Sequence, residues 1–263
     1  MKKAVFFDID GTLINIMDNH LHLTDKVSTA INELKKAGHY VFIASGRPLA
    51  FLDPEIVNFG FDGFVLMNGA VVVINNEVIF AEAIDQRIIE DVCKFCDAND
   101  TEYIFESHPN VYLQKGFKRT EQFYINLKMD ITKFKRDFNM HDFPTYKIEF
   151  LTDRPDAGEI YYKLLKTPTL TGINDPFHCN NLELYARKNS KASGILHALE
   201  HLGVDINNSY AFGDGLNDIE MIQTVGYGMA MENGNEKLKR LAKYIVPSVK
   251  DDGVAYGIER YIL

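Results

Sequence analysis

The chain has 263 residues, of which 25% are charged and 46% hydrophobic, as in an ordinary globular protein. Its 28 basic and 37 acidic residues give a net charge of −9, which makes the chain a poor candidate for non-specific nucleic-acid binding, because such binding requires a basic surface. No run approaches the ~18 apolar residues of a membrane-spanning helix, and the 3 cysteines do not indicate a disulfide scaffold. We therefore expect a cytoplasmic protein without nucleic-acid or membrane partners, and its oligomeric state stays open.

The first third of the chain combines short apolar runs with one helical repeat. The run at 4–7 predicts a buried strand, and the spacing of Val27, Ile31 and Leu34 predicts a helix over 25–37. Further apolar runs predict strands at 40–44 and 64–67 and a hairpin over 71–80. The order strand, helix, strand with apolar strands favours a parallel sheet with right-handed crossovers.

The pattern changes in the middle of the chain and then returns. Between 82 and 186 strands and helices mix, with helices predicted over 85–98, 118–127 and 157–166 and strands at 103–106, 110–114 and 145–151. Hairpin-like strands are predicted near 177–186. After this segment, helices are predicted at 191–202, 218–224, 236–242 and from Gly253, and strands at 210–212, 227–230 and 244–246. We predict an α/β protein with a Rossmann-like parallel-sheet core over 1–81 and 187–263, interrupted by an inserted α+β domain over 82–186.

The first predicted strand ends directly in two carboxylates. Asp8 follows the strand and is placed to act as a nucleophile or a metal ligand, because ligands bind beyond the carboxyl ends of parallel strands. Asp10, two residues later, can reach the same site and act as a general acid or base. Gly11 allows the backbone to turn sharply there.

Two further strand ends carry polar loops, and a lysine lies between them. In Ser45-Gly46-Arg47, the hydroxyl and an exposed backbone N–H suit a phosphate oxygen, while Arg47 either pairs with phosphate or braces the loop. In the loop at 213–218, Asp214 is a candidate Mg²⁺ ligand, and Asp218 either binds the ion or orients the loop. Lys191 opens a predicted helix, where a cation is favourable only if it faces an anion.

Together these segments resemble the motifs of haloacid dehalogenase-like phosphatases, in the Cof-type branch with a large type IIB cap. The four resembling segments are FFDIDGTL at 6–13, IASGR at 43–47, the lysine of NSKASGIL, and GDGLND at 213–218. LMNGA at 66–70 and DDGVA at 251–255 also resemble recurring segments of this branch. Lys188 competes with Lys191 for the third motif, and Lys191 is favoured because it opens the helix.

The resemblance implies a role for each motif residue. Asp8 would be the nucleophile and Asp10 the general acid/base, whose backbone carbonyl also binds the metal. The phosphate-binding residues implied are Ser45, Gly46, Arg47, Lys191 and Asn217. The Mg²⁺ ligands implied are Asp8, Asp10, Asp214 and Asp218. The inserted domain would be the cap that selects the substrate.

The expected activity is Mg²⁺-dependent hydrolysis of a small phosphorylated metabolite, such as a sugar phosphate or a phosphorylated cofactor, through an aspartyl-phosphate. Two alternatives stay open. The first is a phosphomutase or phosphotransferase that uses the same aspartate. The second is a non-catalytic sensor of a phosphorylated ligand, against which stands the presence of every residue that the reaction needs: Asp8, Asp10, Lys191, Asp214 and Asp218.

Two other patterns are interpreted as structural. The sequence from His197 to His201 matches the H-x-x-E-H pattern of some zinc peptidases, but its helix carries inward-facing leucines and isoleucine. Cys93 and Cys96 form a C-x-x-C pair without a second pair, within a helix whose neighbouring residues are apolar. Buried small side chains explain this pair better than a metal or redox site.

Overall fold

The computed structural model describes residues 2–15, 22–174 and 181–263. The chain separates into two compact units. The core unit comprises Met1–Gly46, Asp53–Ala81 and Ser190–Leu263, and the inserted unit comprises Arg47–Leu52 and Glu82–Asn189. The segment Arg47–Leu52, which the predicted boundaries assign to the core, joins the inserted unit because Phe51 packs against Tyr124 and Phe134.

The strands follow one another along the described chain as β1 (Ala4–Phe7), β2 (Tyr40–Ala44), β3 (Gly63–Leu66), β4 (Val71–Ile74), β5 (Glu77–Ala81), β6 (Glu102–Glu106), β7 (Val111–Leu113), β8 (Phe134–Lys135), β9 (Lys147–Leu151), β10 (Leu170–Asn174), β11 (Asn181–Ala186), β12 (Ser209–Gly213), β13 (Tyr227–Met231) and β14 (Tyr244–Val246). The helices are α1 (Asp25–Lys36), α2 (Pro54–Asn58), α3 (Gln86–Ala98), α4 (Lys118–Asn126), α5 (Ala157–Leu165), α6 (Lys191–Leu202), α7 (Ile219–Thr224), α8 (Glu236–Leu241) and α9 (Gly253–Tyr261). None of the helices in these described ranges combines the length and apolar character needed to cross a bilayer.

The core unit is built on one sheet, in which the described strands run in the order β14-β13-β12-β1-β2-β3-β4-β5. The pairs from β14 to β3 are parallel, and β4 and β5 complete the sheet as an antiparallel hairpin. The central strand β1 is completely buried, as its four apolar residues predict. The predicted α/β fold with a parallel sheet is confirmed, and the carboxyl ends of β1, β2 and β12 lie side by side.

Helices cover both faces of this sheet. Helices α6 and α7 contribute apolar side chains, among them Ile195 and Ile222, to a buried cluster that also contains Phe6 and Phe42 of the sheet. On the other face, α1 packs against β2 and against α9. Helix α1 begins where the N-cap residue Thr24 accepts a hydrogen bond from the Val27 N–H (3.2 Å). Because both faces are covered, strands with continuous apolar runs are stable here.

The inserted unit is an α+β fold on a second sheet, with described strands in the order β10-β11-β9-β6-β7-β8. Helices α3 and α5 bury their apolar faces with one side of this sheet, where Phe105, Ile148 and Phe150 lie. On β9, Lys147 projects a buried ammonium toward three carboxylates, at 3.0 Å from Glu106 Oε1, 3.1 Å from Glu149 Oε1 and 2.9 Å from Glu183 Oε2. Burial of these charges makes their mutual pairing a requirement for the stability of the unit.

Several short elements differ from the sequence-based expectation. Helix α2, which follows an Asp53 N-cap, has only five residues. It is too short for its apolar residues to show a helical period, so the sequence does not predict it. Strands β8 and β10 were not predicted, because β8 has two residues and β10 contains a glycine and only one fully buried residue. Hairpin-like strands are predicted near 177–186, and the part at 181–186 corresponds to β11. Its antiparallel partner β10 lies earlier in the chain than this predicted hairpin, and residues 177–180 lie outside the described residues.

We expect Lys147→Met to lower the free energy of unfolding by about 3 kcal/mol, because it leaves buried carboxylates without their cation. Urea unfolding followed by circular dichroism measures this loss. The matched control is Lys94→Met, which removes an exposed ammonium 3.8 Å from Asp91 and should change the stability by less than about 0.5 kcal/mol. Equal stability of the two variants would contradict the assigned role of Lys147.

Candidate active site

The loop after β1 holds Asp8 at the carboxyl edge of the core sheet. The Asp8 N–H donates to the carbonyl of Phe212 on β12 (3.0 Å), and Asp8 is buried. The loop then closes on itself through hydrogen bonds from Gly11 N to Ile14 O (2.7 Å) and from Leu13 N to Ile9 O (2.9 Å). Asp10 is exposed on this loop. The two carboxylates therefore differ in environment, as different chemical roles require.

Gly11 brings the first loop against the fourth. Its φ of +86° is in the left-handed region, and a Cβ atom there would lie 2.2 Å from Asp214 Oδ2. The neighbouring Thr12 hydroxyl donates to Asp214 Oδ1 (3.3 Å). A side chain at position 11 would therefore displace the Asp214 carboxylate, which explains why the first motif contains glycine there.

Lys191 joins three of the predicted site elements through its side chain. The Nζ atom lies 2.5 Å from Asp8 Oδ1 and 2.6 Å from Asp218 Oδ1, and the side chain is 0% exposed. Helix α6 begins at Lys191, after a capping box between Ser190 and Ser193. The two carboxylates offset the unfavourable position of a cation at a helix N-terminus.

Asp218 orients the fourth loop from inside. Its Oδ2 accepts hydrogen bonds from the backbone N–H groups of Asp214 (2.9 Å) and Gly215 (2.8 Å), while its Oδ1 pairs with Lys191. Asp218 is completely buried. Both of its oxygens thus have partners within the core unit, and they hold the Asp214 backbone at a defined place.

The site is rich in negative charge. Asp8, Asp214 and Asp218 each offer an oxygen within 4.8 Å of the others. Burial raises the pKa of the Asp8 carboxyl well above its ordinary value, although the Lys191 ammonium opposes this shift. Burial, and then the charge of Asp218, raises the pKa of Asp214 to about 7. One lysine does not balance three carboxylates, so the site favours a further cation, and clustered oxygen donors suit a hard divalent ion such as Mg²⁺.

The second loop follows β2 beside these carboxylates. The Ser45 N–H donates to the Val65 carbonyl (2.8 Å), and the Ser45 carbonyl accepts from the Asn68 N–H (3.2 Å). Across the site, Asn217 Nδ2 donates to Asn68 Oδ1 (3.3 Å). Arg47, one residue beyond Gly46, opens the segment of the inserted unit, where its Nη1 donates to the Phe51 carbonyl (3.2 Å).

Sequence reasoning did not identify Asn68 and the loop after β13 as parts of the site. Asn233 donates from Nδ2 to the Gly11 carbonyl (2.8 Å), and the Asn235 N–H donates to the Asp214 carbonyl (2.8 Å). A signal was present, because the polar run Glu232–Asn235 follows a predicted strand at the same sheet edge. LMNGA was noted as a recurring segment, but its letters do not reveal which atoms Asn68 contacts.

The His197–His201 pattern and the Cys93–Cys96 pair, both interpreted as structural, lie outside the acidic cluster at Asp8. The His197 ring stacks on Phe80, with centroids 3.7 Å apart. Within the residues that the structure describes, the acidic cluster at Asp8 is the group that offers metal-ligand spacing, and neither histidine belongs to it. Cys93 and Cys96 are buried and free, and burial raises the pKa of the Cys93 thiol to about 12. Such a thiol is protonated at neutral pH and therefore unreactive.

We expect Lys191→Met to lower the stability of the metal-free protein by about 3 kcal/mol, because it leaves buried carboxylates without a cation. Urea unfolding in the presence of a chelator measures this effect. Lys188→Met is the control, because Lys188 is 67% exposed and pairs with Glu82, so its loss should cost less than about 1 kcal/mol. A comparable loss in both variants would be inconsistent with the pairing described.

Asp214 should make the metal-free protein less stable as the pH rises. Its folded-state pKa of about 7 exceeds the ordinary 3.8, so proton binding by Asp214 favours the folded state. This contribution to the free energy of unfolding is fully present below pH 3.8 and is lost as the pH rises toward 7. Asp214→Asn removes this loss, and in chelator the variant should exceed the parent in stability by on the order of 2 kcal/mol at pH 8. The difference should shrink toward pH 5, and a difference independent of pH would contradict the prediction.

Comparisons with known proteins agree with the motifs and the fold. The profile described as haloacid dehalogenase-like hydrolase matches residues 5–258. YkrA of Bacillus subtilis is 32% identical over 262 residues, covering 98% of this chain and 96% of YkrA. The 5-amino-6-(5-phospho-D-ribitylamino)uracil phosphatase YcsE of the same organism is 27% identical over 263 residues, covering 99% of this chain and 96% of YcsE.

Among solved structures, a sugar phosphatase of HAD subclass IIB is 26% identical, with a TM-score of 0.82 and coverage of 99% of both chains. The resemblance inferred from the four motifs is thereby confirmed. The family profile extends over both units of the chain, and the likeness in structure covers the fold from end to end. The chain therefore belongs to the haloacid dehalogenase-like hydrolase family.

Proposed function

We propose that the protein is a Mg²⁺-dependent phosphatase that hydrolyses a small phosphomonoester through an aspartyl-phosphate on Asp8. The observation that carries this proposal is the buried Asp8 carboxylate, which Lys191 holds at 2.5 Å beside Asp214 and Asp218. A carboxylate in this setting is oriented for attack, and it lies among groups that bind a metal ion and a phosphoryl group. Membership of a hydrolase family and the phosphatase relatives support the same reaction.

The residues that would hold Mg²⁺ are the carboxylates of Asp8, Asp214 and Asp218 together with the backbone carbonyl of Asp10. This donor set consists of oxygens only, and burial, together with the charges of the neighbouring carboxylates, raises the pKa values of Asp8 and Asp214. When bound, the ion offsets negative charge on the phosphoryl oxygens. Asp218 contributes in a second way, because it fixes the backbone at Asp214 and Gly215.

In the first step, a carboxylate oxygen of Asp8 attacks phosphorus and the bond from phosphorus to the ester oxygen breaks. Asp10 donates a proton to the departing oxygen, so the alcohol leaves neutral. In the second step, Asp10 accepts a proton from a water molecule, whose oxygen attacks the same phosphorus. The bond between phosphorus and Asp8 breaks, and inorganic phosphate and the free carboxylate result.

The phosphoryl oxygens gain negative charge during both steps, and several groups of the core unit would bind them. These are the Ser45 hydroxyl, the Gly46 backbone N–H, the Lys191 ammonium and the Asn217 amide. Lys191 is retained as a cation, because Asp218 and Asp8 raise its pKa against the effect of burial. Arg47, whose Nη1 donates to the Phe51 carbonyl, belongs to the same proposal as a phosphate-binding residue.

The substrate-selecting role of the inserted domain over 82–186 is also part of this proposal. The residues that perform the two steps come from 1–81 and 187–263, so the inserted domain is free to differ between enzymes of this family. YcsE acts, by its name, on a phosphorylated ribitylaminouracil, and the subclass IIB neighbour acts on sugar phosphates. We therefore expect the substrate of this protein to be a small phosphorylated metabolite.

Asp8→Asn should abolish phosphate release from a panel of phosphorylated metabolites while leaving the protein folded, because the neutral amide does not attack phosphorus. In the parent, release should require Mg²⁺ and stop with chelator. Asp10→Asn should slow release by about 10²–10⁴-fold through loss of the acid/base group. Asp25→Asn, at an exposed helix terminus, is the control and should match the parent.

Turnover retained by Asp8→Asn would overturn Asp8 as the nucleophile. Transfer of the phosphoryl group to an added alcohol, with little release to water, would instead assign a phosphotransferase. No release from any compound, in a folded parent that binds Mg²⁺, would assign a sensor of phosphorylated ligands. Circular dichroism and thermal unfolding of each variant exclude misfolding as the cause of a lost activity.

A further inference from the structure

A strained turn lies between the loops that form the site. Met67, Asn68 and Gly69 follow β3, and their φ values are 49°, 53° and 88°, all in the left-handed region. Asparagine and glycine tolerate this conformation, but it costs a residue such as methionine about 1–2 kcal/mol. Backbone strain of this kind persists where the surrounding structure imposes it, and it concentrates at functional sites.

The turn contacts two of the site elements through its backbone. The Asn68 N–H donates to the Ser45 carbonyl (3.2 Å), within the Ser45–Gly46 loop that the proposed function assigns to phosphoryl binding. A Cβ atom on Gly69 would lie 1.9 Å from the Ser190 carbonyl, so the turn packs directly against the start of α6. Lys191 is the first residue of that helix. The turn therefore sets the distance between the second loop and the lysine.

The Asn68 side chain reaches a third element. Its Oδ1 accepts the hydrogen bond from Asn217 Nδ2 (3.3 Å), and a Cβ on Gly46 would lie 3.2 Å from the same oxygen. Asn68 thus contacts the second loop and the fourth loop at once. Residues in these two loops are the ones proposed to bind phosphoryl oxygens.

The Nδ2 group of the Asn68 amide argues against a role of this side chain in stability alone. Asn68 is 2% exposed, and its Nδ2 has no hydrogen-bond partner among the described residues. A buried N–H without an acceptor costs about 1–3 kcal/mol. A side chain selected only for stability would not leave this donor unpaired.

From these contacts we infer that Asn68 is a positioning residue for phosphoryl binding, which acts by orienting the Asn217 amide toward the phosphoryl group beside the Ser45–Gly46 loop. The inference rests on the proposed function, in which these groups bind phosphoryl oxygens. In this inference Asn68 contacts Asn217, and the substrate contacts belong to Asn217 and the Ser45–Gly46 loop. It acts through its acceptor oxygen, and loss of that oxygen leaves Asn217 free to rotate.

Asn68→Gly is the informative substitution, because glycine keeps the left-handed backbone and removes only the amide. The expected result is a loss of about tenfold in kcat/KM for p-nitrophenyl phosphate, with the melting temperature unchanged or raised. Asn76→Gly is the matched control. Asn76 is also a left-handed asparagine (φ 66°), it is exposed in the turn between β4 and β5, and its replacement should leave kcat/KM unchanged.

A double-variant cycle separates positioning from a general structural effect. If Asn68 acts through Asn217, Asn68→Gly should reduce kcat/KM about tenfold in the parent and less than about twofold in an Asn217→Ala background. Equal losses in both backgrounds would overturn the inference, as would unchanged kcat/KM in the single variant. A fall in melting temperature together with equal losses would assign Asn68 a structural role.

Binding of inorganic phosphate distinguishes failure of this inference from failure of the proposed function. Isothermal titration with Mg²⁺ present should show about tenfold weaker phosphate binding for Asn68→Gly than for the parent, again only when Asn217 is intact. If the parent binds phosphate in this Asn68-dependent way but hydrolyses nothing, the proposed function fails and the positioning role stands. If phosphate binding is independent of Asn68, or the parent does not bind phosphate, the inference is overturned.

Discussion

The arrangement of the site depends on one buried ammonium group. Lys191 pairs with Asp8 at the end of β1 and with Asp218 in the loop after β12, and its side chain has no exposure to solvent. Taking these charges out of water is costly, so each of them is stable only while the others are in place. This mutual dependence orients Asp8, and through Asp218 it also orients the backbone of Asp214.

Close backbone approach supplies the rest of the precision. Gly11 lies so near Asp214 that no side chain fits there, and Gly69 lies equally near the start of α6. From the loop after β13, Asn233 donates a hydrogen bond to the Gly11 carbonyl and the Asn235 N–H donates one to the Asp214 carbonyl. The site is therefore formed by loops that contact one another as well as by a sheet that presents them. Small changes in one loop are consequently transmitted to its neighbours.

The inserted unit uses the same physical device for a different purpose. Lys147 is buried among Glu106, Glu149 and Glu183 on adjacent strands, which joins three strands of that sheet. Burial raises the pKa of Glu106, so one carboxyl of the group retains its proton more readily than an exposed one. In the core unit the excess of carboxylates favours a metal ion. In the inserted unit, hydrogen bonds such as that from the Tyr124 hydroxyl to Glu149 stabilise part of the negative charge of the cluster.

The sequence alone determined the parallel core, its interruption by an α+β segment, and the residue types of the reaction. Apolar runs specify buried strands wherever they occur, and parallel strands place their carboxyl ends at one edge, so Asp8, Ser45 and Asp214 were predictable as neighbours. Only the tertiary structure decided that Asp218 caps its own loop, that Arg47–Leu52 packs with the inserted unit, and that Asn68 contacts Asn217. These facts depend on left-handed backbone angles, on packing between segments distant in the chain, and on which carboxylate oxygen pairs with a lysine. Local sequence patterns carry no information about such long-range contacts.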